Sequence, residues 1–172
     1  MTWTLILVLI AFGIYLFYNA GILGFMGVPK SLSETFYLLK AKKEWLRIFF
    51  PIMMMLMAWL LLPAWLELSQ GHNLQFMAFF AAAGIMFTGA APAFKKHNLE
   101  NWVHTASAIW AAVFALLWVI FVSKLWWLIL IWLGLVVIAA FASKTWKLAY
   151  VYWLETVAFL STFTAIILHH LI

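Results

Sequence analysis

The sequence predicts an all-α polytopic membrane protein, a bundle of six transmembrane helices in a single domain over residues 1–172. Three observations predict it. Six apolar runs, each close to the thickness of a bilayer's hydrocarbon core, fill almost the whole chain. Hydrophobic residues make up 69% and charged residues 9%, whereas an ordinary soluble domain is about a quarter charged, so the chain lacks the polar surface a soluble core requires. The positive charges collect in alternate short loops, where they act as topology signals.

The runs fall in order at residues 3–26, 48–68, 74–94, 102–123, 125–142 and 148–171. The first is too long for a cleavable signal, no Lys or Arg precedes it, and Tyr15, Tyr18 and Asn19 look like packing positions. Pro29 stops it after Gly27. The second contains Pro51 and Pro63, and the fifth is only just long enough to cross. Lys124 separates the fourth and fifth, which implies a tight turn with Trp126 and Trp127 at headgroup level.

Lys30, Lys40, Lys42, Lys43 and Arg47 follow the first run, Lys95 and Lys96 the third, and Lys144 and Lys147 the fifth; only Lys124 lies in a loop of the other side. The positive-inside rule then expects these three loops in the cytoplasm, both termini on the non-cytoplasmic side, and residence in a bacterial inner membrane. The balance of +5 is a membrane signal, and no nucleic-acid partner is expected.

The loop after the first run, PKSLSETFYLLKAKKEWLR, is the only long one. Ser31 followed three positions later by Glu34 predicts a capped helix start, and Leu32, Phe36, Leu39 and Lys43 recur at helical spacing. Lys40, Lys42, Lys43 and Arg47 are therefore candidates for contact with lipid headgroups. A helical lead-in to the second span with snorkelling lysines has the same pattern.

Ionisable groups at membrane depth are costly and mark candidate sites. In the fourth run His104, Ala108, Ala111 and Ala115 share one face; in the sixth Tyr152, Glu155, Ala158, Thr162, Ala165 and His169 share another; in the first Tyr15 and Asn19 do. Such small and polar faces pack against helices rather than lipid. From the run boundaries Glu155 lies about 12 Å in and His104 about 5 Å in, with Glu100 one turn away. Asn19, Ser33, Glu34, Glu100, His104 and Glu155 are thus candidates for one cytoplasm-facing polar pocket. A Glu and a His together can move a proton or bind a cation or headgroup amine; the bland alternative is a hydrogen-bonded Glu155 that only holds helices together. No catalytic set, cofactor motif or metal spacing is recognised, and there is no Cys for a thiolate.

The stretch Pro29, Ser31, Ser33, Glu34, the small-residue third run (Ala81, Gly84, Thr88, Ala91) and Val103–His104 opening the fourth resemble the DRAM/Sfk-like six-helix membrane proteins over two thirds of the chain. That resemblance implies the fold and no chemistry. A zinc hydrolase of the alkaline ceramidase type uses Ser, Asp and several His; the chain has Ser31, Ser33 and His104 but no Asp, and His169 and His170 fall at the opposite membrane face.

Three function classes follow. The first is a non-enzymatic subunit or accessory protein, with membrane lipids and a protein partner or second copy around it. The second is a small transporter or lipid-binding protein using Glu155 and His104. The third is an intramembrane lipid-modifying enzyme. The topology makes a direct prediction: a reporter active only in the cytoplasm, fused after Ile172, is silent, and cytoplasmic activity there overturns the orientation.

Overall fold

The computed structural model describes residues 3–95 and 98–171. Lys96 and His97, and the fusion point Ile172, lie outside the described residues. Among the described residues there are seven α-helices and no strand: α1 (Trp3–Met26), α2 (Thr35–Lys42), α3 (Phe49–Leu68), α4 (Phe76–Ala90), α5 (Asn98–Phe121), α6 (Trp127–Ala142) and α7 (Trp146–Leu171). Two 3-10 turns, Leu32–Glu34 and Glu44–Ile48, flank α2.

Among the described residues four stretches are long and apolar enough to cross a membrane: Trp3–Met26, Glu44–Leu68, Asn98–Phe121 and Trp146–Leu171. The expected six spans are met in part, by these four and by two shorter apolar helices. The third and fifth runs yield helices of only 15 and 16 residues, about 22 and 24 Å long against about 30 Å of hydrocarbon. Counting apolar residues overestimated them because turns take both ends. A run of turns over residues 69–75 delays α4, and Pro92, which has no N–H and disfavours a helical residue before it, ends α4 at Ala90. Lys124, in a left-handed conformation (φ 59°), and the turn after it delay α6 to Trp127. The additional helix is α2, eight residues inside the basic loop.

The helices alternate in direction. One end of the molecule carries Lys30, α2, Lys95 and the start of α7, which touch one another; the other carries Ser69 and Trp118, joined at 2.7 Å from the indole N–H to the hydroxyl. The first is called the basic end below.

Helix α4 is the wedge of the fold, packed on α3 on one side and α5 on the other. A Cβ on Gly84 would lie 2.7 Å from the Ala111 backbone N, and one on Gly89 2.8 Å from the Met54 Cβ. Any larger residue there would push α4 off α5 or α3. The expected smooth face of Ala81, Gly84, Thr88 and Ala91 is buried throughout. Helix α7 is the other organiser: it contacts α1, α3, α5, α6 and the Leu32–Glu34 turn. Aromatic rings seal it to α1, with Tyr15 stacked on Phe159 at 4.9 Å and Phe12 against Phe163 at 5.0 Å. Outward faces remain large and apolar, as Phe17 (85% exposed) and Trp102 (75%) show, which suits lipid contact and not water.

Candidate functional site

The site is built around a short segment, Lys30–Glu34, that leaves α1 and is held against the basic end of the bundle. Gly27 makes the exit possible by taking φ 77°, a conformation that costs glycine little. Ser31 is extended, and its Oγ accepts the Glu34 N–H at 3.2 Å, the cap predicted from sequence. The reciprocal half of the cap is shifted by one residue: Glu34 Oε2 accepts the N–H of Lys30 at 3.2 Å rather than that of Ser31.

Three helices then grip the segment. In α7, Ala149 departs from helical geometry (φ −129°, ψ 25°), and the Tyr152 N–H that a regular helix would give to residue 148 goes to the Lys30 carbonyl at 3.1 Å. One turn on, Glu155 Oε2 accepts the Leu32 N–H at 2.6 Å. From α5, His104 Nε2 lies 2.7 Å from the Ser33 hydroxyl. From α1, Tyr18 pairs through its hydroxyl with Thr35 Oγ1, which itself donates to the Leu32 carbonyl at 2.6 Å. The backbone of a loop thus finds its partners in side chains of the bundle, as buried backbone must.

The hydrogen bonds fix the tautomer of His104. Its Nδ1 lies 3.1 Å from the Thr88 carbonyl, which can only accept, so Nδ1 carries the proton. In the neutral ring Nε2 is then an acceptor, and the Ser33 O–H donates to it. Phe94 stacks on the imidazole at 4.4 Å and 15°, fixing the plane of the ring.

Glu155 and Ser33 look into one cavity of about 50 Å³ between α3, α4, α5 and α7. That is room for very few water molecules or one small cation. Thr88 and Thr162 add hydroxyls, the Ala108, Ala111 and Ala115 face of α5 forms one wall, and Leu61, Trp65 and Phe163 close it with apolar surface. Among the described residues the Trp65 indole N–H has no hydrogen-bond partner. Two of the faces expected to pack, that of Ala108, Ala111 and Ala115 in α5 and that of Glu155, Ala158 and Thr162 in α7, both border this space.

The six candidate residues distribute as follows. Ser33 and Glu155 border the cavity. His104 touches Ser33 and Glu155 touches Leu32, so the two hold neighbouring residues of the segment. His104 lies about 9 Å along α5, which begins at Asn98. Asn19 sits beside the site: its side chain donates to the Tyr15 carbonyl at 2.9 Å and accepts from the Tyr152 hydroxyl at 3.0 Å. Glu100 accepts the Ala93 N–H at 3.1 Å and braces the turn between α4 and α5. Glu34, half-buried, pairs with Lys95 at 2.9 Å. The Lys95 N–H in turn donates to the Tyr37 hydroxyl at 2.7 Å, and the Lys95 ammonium lies over the Tyr37 ring.

The four basic headgroup candidates divide too. Lys40 (3.6 Å) and Arg47 (2.6 Å) are tied to Glu44, while Lys42 and Lys43 have no carboxylate partner among the described residues. Sequence reasoning missed Leu32 N–H, Tyr152, Thr88 and Lys95. Of these Tyr152 and Thr88 carried a signal, their places on the Glu155 face and on the small-residue face of the third run; a backbone donor from a distant loop leaves none. Among the described residues no three His, Cys, Asp or Glu side chains are placed to hold one metal ion.

No protein-family model, curated protein or solved structure matches the chain, so the resemblance to the DRAM/Sfk-like proteins rests on its short motifs alone.

The Glu34–Lys95 pair makes a pH prediction. Partial burial pushes the Glu34 carboxyl up, but the hydrogen bond and charge of Lys95, together with the amide and charge of Lys30, outweigh it and hold it below the ordinary range. A carboxyl depressed on folding stabilises above its unfolded value of about 4.3, and that stability is lost as pH falls through the lower folded value. Lys95 is 48% exposed, so the pair contributes at most about 1 kcal/mol. Wild type should melt above Glu34→Gln at neutral pH, and the gap should close as the medium is acidified below that range. A gap that persists or widens in acid contradicts the ion pair.

Proposed function

We propose that this chain is a small integral membrane transporter whose working group is the Glu155 carboxyl, exchanging a proton or one small cation with the cavity beside it. The observation that carries the reading is the setting of Glu155. It is partly exposed to a small cavity with hydroxyls near it and apolar walls beyond, and it accepts a single N–H at Oε2. An ionised carboxylate offers about four acceptor sites, so most of its capacity is free to meet a proton, a cation or water in the cavity. Protonation of Oε1 leaves the Leu32 bond on Oε2 in place. The group can therefore change charge without releasing the segment it anchors. In this reading the basic end faces the cytoplasm, and the two shorter helices α4 and α6 complete six crossings with their flanking turns.

The accessory-subunit reading drew on small-residue faces available for other chains. Those of α5 and α7 border an internal cavity here, so no observation favours that reading over transport. The enzyme reading has one specific observation behind it. Ser33 donates to His104 Nε2, and His104 Nδ1–H is held by a carbonyl, which is the order of nucleophile, base and orienting acceptor. It ranks second because Ser33 and His104 are 3% and 4% exposed.

Proteoliposomes with an entrapped pH dye and an imposed potential test the proposal. Wild type should pass protons, or Na⁺, K⁺ or a small alkylammonium ion, faster than empty vesicles. Glu155→Gln, whose amide oxygen can still accept from Leu32, should melt like wild type and fall to the empty-vesicle rate. Glu155→Leu, which leaves the Leu32 N–H without an acceptor, should lose about 1–3 kcal/mol of stability. Wild-type flux no faster than empty vesicles for every ion, or full flux in Glu155→Gln, overturns the transporter reading. Labelling of wild type but not Ser33→Ala by a fluorophosphonate would move the enzyme reading to first place.

A further inference from the structure

Away from the Glu155 cavity, the outer face of the molecule carries a much larger depression, a groove of about 770 Å³ between α1 and α3. Its walls are apolar, with Ile14, Gly21 and Phe25 on α1 and Ile52 on α3, and its mouth at the basic end is formed by Lys42 and Lys43. Three features identify its occupant. The first is length: from Ile14 to Met26 the groove follows α1 for about 18 Å, close to one leaflet's share of a hydrocarbon core about 30 Å thick. The second is charge: Lys42 and Lys43 are exposed and lack a carboxylate partner among the described residues, while Lys40 and Arg47 beside them share one carboxylate, that of Glu44. The third is the floor: a Cβ on Gly21 would meet nothing within 4 Å, so α1 has left space there that no side chain of this protein fills.

We propose that this groove holds one anionic glycerophospholipid, its acyl chains along α1 and α3 and its phosphate on Lys42 and Lys43. A helix from a second protein could cover the apolar walls, but it would leave two adjacent ammonium groups uncompensated at the mouth; a lipid phosphate matches both the walls and the charge. The site goes beyond general attraction of basic residues to a membrane, because it assigns two of the four basic residues of the loop and a defined wall.

Native mass spectrometry of the full chain, released from nanodiscs of equal phosphatidylglycerol and phosphatidylcholine, tests it. Wild type should keep one lipid, with phosphatidylglycerol preferred about thirtyfold, the preference that two surface lysines supply. The double variant Lys42→Gln/Lys43→Gln should retain the two lipids near parity. Gly21→Phe, which adds a ring into the open floor, should retain neither while melting no lower than wild type. Lys144→Gln/Lys147→Gln removes the same charge from the same end away from the groove and should leave the preference intact. Equal retention of both lipids by wild type, an equal effect of the two lysine pairs, or a lipid-free dimer overturns the proposal.

Discussion

The structure depends on one hydrogen bond more than on any other, that from the Leu32 amide to the Glu155 carboxylate at 2.6 Å. A loop backbone brought against a helical bundle has donors and acceptors that must be met, and a carboxylate placed within an apolar helix has a desolvation cost that must be offset. Each solves the other's problem. Around that bond the remaining partners fall into line. The Lys30 carbonyl takes the N–H released by the irregularity at Ala149, the Ser33 hydroxyl reaches His104, and Thr35 reaches Tyr18. The segment is thereby the common partner of α1, α5 and α7.

The position of α4 follows from a different constraint, close approach. Gly84 and Gly89 let it sit between α5 and α3 with no space for a Cβ at either contact. That proximity brings the Thr88 carbonyl to His104 Nδ1 and so decides which ring nitrogen faces Ser33. Packing of two glycines thus sets the direction of a hydrogen bond on the far side of the imidazole.

Much of this was legible in the sequence, and the parts that were not share a cause. The apolar runs and the alternation of basic loops report on solvation, a local property, and they located α1, α3, α5 and α7 within a few residues. Ser31 and Glu34 signalled a helix start because capping is local as well. Helix lengths in the third and fifth runs were misjudged because an apolar residue reads alike in a helix and in a turn, as Leu74 and Leu125 do. The site was half legible. Ser33, His104 and Glu155 could be singled out by the cost of polar groups at depth. Their relation could not, since the group that connects them is a backbone amide, present in every residue but proline. Glu100 and Glu34 were placed with the others by depth alone, and their partners, the Ala93 amide and Lys95, lie in the turn after α4, a feature without periodicity.

The bond between Leu32 and Glu155 joins residues 123 apart in sequence. Its donor is consequently made well before its acceptor. The first basic loop is made before its acceptor, and the Leu32 amide lacks that partner until α7 has followed. When that helix enters, its carboxylate and its irregular first turn are costly until they find the loop. Placement of α7 and burial of the first loop are therefore coupled, and the polar core around Glu155 closes only once α7 is in place.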